Sequence, residues 1–352
     1  MKKIFISLLA VAAIAACTKS EVQYDEPSAI SFAPVAQNLT KTVVTDGTFP
    51  TDQDLYVFAN ASADNTNWSE AYFRNALFVY DSSLGETTPP AGAYKGSPER
   101  YWPNVKSLKF AGYSEACNTP ALSSSAKVPT MDFTNNELKI FGYIQDNTAT
   151  GLGNNDLMWF PMTTQYTKQS KEVPVTMKHA CSWITIQVAG DNTTGAAGTT
   201  WKVTELKING LTTKGDVTCG NASATWDFTQ TEDQYKDKTE PIFNGDKTLT
   251  TSYVKCETIA DNTIVLPQAP TSIDVTYSYV SQKGNTTDDD TTNNDDIVIT
   301  ETANVPLTLG NGTNWVSGTH YTYNIKITST QILIDPKVEV WAEYSPVTNV
   351  TI

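Results

Sequence analysis

The chain has 352 residues, of which 39% are hydrophobic and 10% aromatic, enough to fill the cores of two domains of ordinary size. Its net charge of −14 leaves no basic face to neutralise phosphates, which argues against nucleic-acid binding. After the first 16 residues no apolar run is long enough for a membrane helix, so membrane attachment would rest on lipid.

The first segment has the organisation of an export signal. Two lysines precede an apolar stretch, residues 4–16, that is too short to span a bilayer. It ends in Ile14, Ala15 and Ala16, directly before Cys17 and a polar segment. This pattern resembles the lipobox of bacterial lipoproteins and predicts a signal peptide over residues 1–16 with lipid on Cys17. The alternative is an ordinary secretory signal with a chance cysteine.

A short strand and a single basic residue follow. Ile30 and Phe32 alternate with small or polar neighbours, so they share one face of a strand. Lys41 then lies in a polar loop and is the only lysine or arginine between Lys19 and Arg74. It is either an ordinary solvated lysine or a trypsin-type cleavage site, with the cut made before Thr42.

From residue 55 onward, short strand-like runs alternate with segments rich in Gly, Pro, Asn, Asp and Thr, a spacing that predicts β-sandwiches. No segment has a sustained helical period, although residues 68–76 could form one short helix. The polar connector at residues 163–171 predicts a domain boundary. We therefore expect an N-terminal domain over residues 17–165 and a C-terminal domain over residues 166–352.

The second half opens with a strand whose apolar face changes after Trp183, which predicts a β-bulge. His179 lies on the apolar face and is interpreted as a satisfied core or interface residue. The acidic run at residues 288–296 is interpreted as a solvated loop. Calcium is the sharper alternative, but Asn293 stands where an EF-hand loop has its glycine.

The sequence does not decide whether the cysteines form disulfides or remain thiols. Cys117, Cys181, Cys219 and Cys256 allow three pairings, and buried thiols are equally consistent with the sequence. None of them forms a Cys-x-x-Cys motif, so zinc binding and thioredoxin-type chemistry are not expected.

The last part of the chain again has a strand pattern. Apolar residues alternate with polar ones, and the alternation resumes in the last three residues, which predicts a terminal strand able to pair along another chain. The predicted donor residues are Val338, Val340, Ala342, Tyr344, Val350 and Ile352.

Several elements that are weak alone follow a characteristic order. They are the lipobox at Cys17, Ile30-Ser31-Phe32, Phe49-Pro50-Thr51, Leu55-Tyr56-Val57-Phe58, Tyr101-Trp102-Pro103, Asp156-Leu157-Met158-Trp159, Val173-Pro174-Val175, Lys178-His179-Ala180, and Trp315 with Gly318 and Tyr321. Together they resemble the fimbrillins, the type V pilin subunits of the Mfa-like and FimA-like group of Bacteroidales. The resemblance implies an all-β fold of two tandem β-sandwich domains with transthyretin-like, Greek-key topology.

The resemblance also implies a route of assembly. The subunit would be exported as an outer-membrane lipoprotein precursor and cut in the loop after its first strand by a trypsin-like protease, here after Lys41. Loss of the strand that carries Ile30 and Phe32 would expose unpaired backbone and an apolar groove, which a strand from another pilin subunit would fill. Head-to-tail donation does not close, so it builds a fibre. We therefore expect a structural subunit of cell-surface fimbriae that serves adhesion and biofilm formation.

Catalysis finds little support in the sequence. The chain has 2 histidines, and it contains no nucleophile elbow, zinc-protease motif or phosphate loop. We expect no enzymatic activity, no cofactor and no metal. The alternative function is a non-polymerising surface lipoprotein that binds glycans or host ligands through Trp68, Trp226 or Trp315. Without such a role, these tryptophans would be core residues.

Overall fold

The structure is a computed structural model that describes residues 28–36, 49–85, 92–116, 127–145, 147–148, 151–152, 156–190, 201–256, 263–282, 297–307, 314–328 and 332–340. The prediction of an all-β fold is confirmed, because these residues form 22 strands and one 3₁₀ helix, Asp233–Tyr235, without an α-helix. Within those ranges, no helix has the length and apolar character needed to cross a membrane.

The strands are short and follow one another closely. Those of the first half are β1 (Ser31–Ala36), β2 (Leu55–Ser62), β3 (Glu70–Asp81), β4 (Ala93–Gly96), β5 (Ser107–Ala116), β6 (Thr130–Asp132), β7 (Glu137–Ile144), β8 (Asn147–Thr148), β9 (Gly151–Leu152), β10 (Asp156–Phe160) and β11 (Val173–His179). Those of the second half are β12 (Ser182–Ala189), β13 (Trp201–Leu211), β14 (Lys214–Cys219), β15 (Ala224–Asp227), β16 (Lys238–Thr248), β17 (Val254–Lys255), β18 (Thr263–Val265), β19 (Ser272–Gln282), β20 (Ile297–Pro306), β21 (Thr319–Ile327) and β22 (Ile332–Val340).

A closed barrel contains the start of the described chain. Its strands follow the order β1-β11-β10-β5-β2-β3-β4, and β4 returns to pair with β1. Phenylalanine, leucine and valine side chains of these strands form one buried cluster inside the barrel. The first strand is therefore an integral part of the barrel wall, held by a neighbour on each side.

Two further sheets pack face to face in the second half. One has the order β17-β12-β21-β22, with β18 also paired to β12, and the other has the order β16-β13-β19-β20. Alternating apolar residues from both sheets, such as Ile186 and Tyr323 against Val203 and Val275, share one buried cluster. This arrangement is a β-sandwich.

A fourth sheet, in the order β15-β14-β7-β6, joins strands that are far apart in sequence. β7 comes from the first half of the chain and pairs with β14 from the second half. β11 likewise follows residue 165, yet it pairs with β1 and β10 in the barrel. Strands from both sides of the expected boundary thus share two sheets, and the division into domains stays a prediction.

Two local predictions need correction. The short helix expected at residues 68–76 is wrong, because residues from Glu70 onward belong to β3, which pairs with β2 over most of its length. Phe73 and Phe78 enter the barrel core there, and Asn75 takes a positive φ of 47° at an irregular point of the ladder. The change of face expected near Trp183 is a strand break rather than a bulge: β11 ends at His179, and β12 begins in a different sheet.

Candidate functional site

The structure locates part of the predicted site. Ile30 and Phe32 lie directly before and within β1, inside the barrel wall. Val338 and Val340 lie at the end of β22. The remaining predicted positions lie outside the described residues: Cys17, Lys41, Thr42, Ala342, Tyr344, Val350 and Ile352.

Backbone pairing holds β1 on both sides. It runs parallel to β11, from the pair Phe32–Val173 to the pair Ala36–Met177. On its other side it runs antiparallel to β4, but this ladder contains only Ser31 and Phe32. The second half of β1 therefore depends on β11 alone among the described strands.

The residues before β1 continue this pairing. The Ile30 amide donates to the Arg100 carbonyl at 2.6 Å, and the Trp102 amide donates to the Ser28 carbonyl at 2.9 Å. The Ser28 hydroxyl also donates to the Gln169 carbonyl at 2.9 Å. Hydrogen bonds therefore hold the residues just before β1 as well as β1 itself, which is the strand that the sequence predicts to be removable.

Phe32 fills an aromatic pocket in the barrel. Its side chain is 0% exposed, and its ring centroid lies 4.9 Å from that of Phe78 and 5.1 Å from that of Phe110, both in edge-to-face geometry. The Phe160 ring lies 6.1 Å away. Ile30 is also completely buried. Burial of each of these side chains contributes about 1.5–3 kcal/mol to the stability of the closed barrel.

The chain returns to the same region after residues 37–48. Phe49 is buried against the Tyr94 ring, with centroids 5.5 Å apart, and the Tyr94 hydroxyl donates to the Pro50 carbonyl. Burial raises the pKa of Tyr94. The segment with Lys41 therefore starts and ends at the barrel. Sequence analysis missed this anchor, since its only signal was the dipeptide Phe49-Pro50.

β22 forms the edge of its sheet as far as the structure describes it. It is antiparallel to β21, and the pairing includes Val338 opposite Tyr321 and Val340 opposite Thr319. These two predicted donor residues are therefore engaged with their own chain. They would have to leave β21 to serve a neighbour.

Comparison with known proteins identifies the family of this all-β chain. A family model described as fimbrillin-like matches residues 40–341. The chain belongs to the fimbrillin-like family. Membership supports a fimbrial or adhesive role at the cell surface and a structural rather than catalytic protein.

Two solved structures are similar to this fimbrillin-like chain. A fimbrial protein from Bacteroides vulgatus has a TM-score of 0.59 at 14% identity, covering 88% of this chain and 99% of its own. A candidate cell adhesion protein from Bacteroides uniformis has a TM-score of 0.50 at 16% identity, covering 90% of this chain and 99% of its own. At these identities the likeness shows a common fold. No curated protein sequence matches the chain.

Both histidines of the fimbrillin-like chain have side-chain partners within the fold, His179 in the core and His320 at a half-buried position. His179 is buried, and its Nδ1 shares a hydrogen bond with the buried Asp156 carboxylate, so the expectation of a satisfied core residue is confirmed. His320 stacks on Trp183 at 3.6 Å, and its Nε2 lies 2.9 Å from the Thr185 hydroxyl. Burial, with a smaller effect of a nearby lysine, lowers the pKa of His320 to about 4, so this ring is neutral at pH 7.

The three tryptophans considered for ligand binding differ in exposure. Trp315 is 1% exposed and donates its indole N–H to the Tyr323 hydroxyl at 2.9 Å, so it is a core residue. Trp226 is half-buried and donates to the Ala180 carbonyl at 2.8 Å. Trp68 is half-buried beneath a lysine ammonium group 4.6 Å from its ring centroid. These contacts give no support to a ligand-binding surface formed by the three tryptophans together.

The described cysteines are structural. Cys181, Cys219 and Cys256 are buried thiols, and Cys117 lies outside the described residues. Burial raises the pKa of the Cys219 thiol, which favours its unreactive protonated form. Over the part of the chain that the structure describes, no group of three or more His, Cys, Asp or Glu side chains could hold a metal ion.

Proposed function

We propose that the protein is a structural subunit of cell-surface fimbriae, assembled by proteolysis-triggered strand exchange, and that it serves adhesion and biofilm formation. The observation that carries the proposal is the position of β1. This strand completes a closed barrel, its Phe32 and the preceding Ile30 are fully buried, and the chain that follows it leads to Lys41.

Membrane attachment is the first step. Lipid on Cys17 would hold the precursor at the outer membrane, with β1 about a dozen residues farther along the chain. The tether would thus lie on the segment that cleavage removes, and a cut subunit would leave its anchor. Attachment by lipid is consistent with the acidic sequence, which has no other apolar run of sufficient length.

Cleavage is the second step. A trypsin-like protease would cut after Lys41, and the new N-terminus at Thr42 would stay close to the barrel through buried Phe49. Release of β1 would leave one edge of β11 and one edge of β4 without a partner strand and would open the pocket that Phe32 fills. Unpaired backbone and exposed apolar surface are both unfavourable in water, so the opened barrel would be primed to accept another strand.

Strand donation is the third step. A neighbour's C-terminal segment, drawn from the predicted set Val338 to Ile352, would restore the ladder and fill the groove. Each subunit would accept one strand and donate another to the next copy. Because this head-to-tail contact does not close on itself, the product is an open fibre.

The experiment uses purified full-length precursor and a trypsin-type protease. Cut protein should begin at Thr42 and, in unboiled samples on a denaturing gel, should give a ladder of oligomers that collapses on boiling. The Lys41→Ala variant is the matched control and should remain an uncut monomer. Oligomers of equal size and yield from Lys41→Ala would rule out this route, and so would cut wild-type protein that stays monomeric.

A further inference from the structure

The sheet edges of the described chain differ in how they are protected against pairing with another molecule. An unpaired edge strand offers free N–H and C=O groups, and proteins shield such edges with short strands, prolines, lysines or breaks in register. The strands β6, β8, β9, β15, β17 and β18 have only two to four residues each. β16 contains Pro241 and pairs with shifts of register, and β22 contains Asp335, Pro336 and Lys337. Each of these strands thus has a feature that disfavours pairing.

β20 lacks this protection along most of its length. It has 10 residues without a lysine, and its single proline is its last residue. Its ladder with β19 runs from the pair Ser272–Pro306 to the pair Val280–Val298 without a shift of register. Among the described strands, only β19 pairs with it. As far as the structure describes the chain, the opposite edge of β20 is therefore open to another strand.

The direction of the backbone groups on this edge follows from one hydrogen bond. The Leu307 amide, directly after β20, donates to the Thr271 carbonyl on the β19 side at 3.3 Å. Because successive residues of a strand point their amides to opposite sides, the odd-numbered residues of β20 bond to β19. The open edge presents the amides and carbonyls of the even-numbered residues, which are Val298, Thr300, Thr302 and Asn304.

The open edge is also held in place by its own sheet. The Thr302 hydroxyl lies 2.9 Å from the Thr276 hydroxyl, and the Asn304 side-chain amide donates to the Asp274 carboxylate at 2.6 Å. The edge ends at Pro306, which has no amide hydrogen. An edge fixed in this way loses little conformational entropy when another strand pairs with it.

We infer that two copies of the chain pair through their β20 edges about a two-fold axis and form one continuous sheet, with four strands from each copy. A strand that pairs with its own copy about such an axis is antiparallel by symmetry. The contact goes beyond the proposed strand exchange, because it needs neither cleavage nor a donated strand. It closes on itself, so it joins chains, or fibres made of them, side by side.

The position of Glu301 selects the register of this contact. Its carboxylate accepts a hydrogen bond from the Tyr277 hydroxyl at 2.7 Å, which holds it beside its own sheet. With the axis through residue 301, the two Glu301 side chains would lie directly opposite each other, and like charges are destabilising there. With the axis through Thr302, Glu301 of each copy lies opposite Ala303 of the other.

The register about Thr302 also satisfies the backbone of the edge. Thr302 lies opposite Thr302 of the second copy, Thr300 lies opposite Asn304, and the Val298 amide reaches the Pro306 carbonyl. This ladder has about eight hydrogen bonds between the copies. An axis through residue 303 would put Pro306 opposite Thr300, whose carbonyl would lose its donor. An axis through residue 300 would leave Asn304 beyond the start of the other strand.

Single cysteines on the edge test the register. Uncut precursor with Cys17→Ala and Cys117→Ala is the background, since the described native thiols are buried. After mild oxidation, Thr302→Cys should give a disulfide-linked dimer, because the two positions lie opposite each other. Thr300→Cys or Asn304→Cys alone should give at least about tenfold less dimer, because each lies more than about 13 Å from its own counterpart. A mixture of these last two variants should give the mixed dimer.

Sedimentation of the uncut precursor measures the association without a cross-link. Thr302→Lys places two ammonium groups opposite each other and should abolish the dimer. Thr225→Lys, at an exposed position of β15, is the matched control and should leave the dimer intact. The contact is a short ladder with few apolar side chains, so it should dissociate in the detergent of a denaturing gel and should not contribute to a boiling-sensitive ladder.

Each outcome decides the inference. Wild-type precursor that stays monomeric as its concentration is raised, or a dimer that Thr302→Lys leaves intact, would overturn it. A Thr302→Cys thiol that resists a water-soluble thiol reagent in the monomer would show that the chain itself covers the edge, and would overturn it as well. A stronger dimer from Thr300→Cys or Asn304→Cys alone would refute the register. No step uses the protease, so these results do not depend on whether cut protein forms fimbrial oligomers.

Discussion

Replacement of Phe32 by alanine should weaken the packing of β1 in the barrel and leave the surface of the precursor unchanged. The side chain is 0% exposed and touches two phenylalanine rings in edge-to-face geometry. A buried Phe→Ala change typically costs about 3–5 kcal/mol, and the rigid aromatic walls leave little room for collapse of the cavity. We therefore expect Phe32→Ala to lower the free energy of unfolding of the uncut precursor by an amount in this range.

The same change should act on the cut form in a different way. After cleavage at Lys41, the segment with β1 is held by non-covalent contacts alone. A loss of about 3–5 kcal/mol corresponds to roughly 10²–10⁴-fold weaker retention of that segment. The variant should therefore release it sooner, and oligomers should form earlier after the cut than in wild type.

Urea denaturation of the uncut proteins measures the first effect, and mass spectrometry of cut protein after gel filtration measures the second. Val35→Ala, at a site that is 48% exposed, is the matched control and should change stability by no more than about 0.5 kcal/mol. The reasoning is refuted if Phe32→Ala costs no more than Val35→Ala, or if both variants retain the cut segment equally long.

Three further predictions concern other parts of the chain. Cys17→Ala should abolish labelling by a palmitate analogue in cells, and equal labelling of wild type and variant would contradict lipid attachment there. Deletion of residues 349–352 should abolish the oligomer ladder, because Val350 and Ile352 belong to the predicted donor residues, and an unchanged ladder would place the donor before residue 349. His320 is held neutral by a pKa lowered from 6.5 to about 4, so its contribution is complete above pH 6.5 and declines by about 3 kcal/mol as the pH falls towards 4. His320→Phe keeps the stacking on Trp183 and should therefore flatten the dependence of unfolding free energy on pH in that window.

Local patterns identified strands well where one face is buried. The alternation of Ile30 and Phe32 placed both side chains on the same side, and both are completely buried. The alternation from Tyr321 to Ile327 likewise corresponds to β21, whose apolar residues face the sandwich core. Period-two patterning is a property of the strand itself, so a sequence reveals it without knowledge of the partner strands.

The partners of each strand could not be predicted in the same way. β1 pairs with β11, more than a hundred residues later, and local composition carries no signal of that distance. The connector at residues 163–171 has the polar composition of a linker, yet Tyr166 forms a two-way backbone bridge with Leu108 of β5. The polar composition of this connector indicates that it is exposed to solvent. It carries no signal of the backbone bridge to β5, because that bridge depends on residues far away in the sequence.

The passage from β11 to β12 has a mechanical consequence. Only Ala180 and Cys181 separate the strand that borders β1 from the strand that enters the sandwich. In a fibre of the proposed kind, tension on a donor strand would pass to β11, then through continuous backbone to β12, and across β21 to β22. Ladders pulled along their length are loaded in shear, so many hydrogen bonds must break together, and rupture is governed by the unfolding rate. Such a subunit would resist axial pulling more strongly than sideways peeling at a sheet edge.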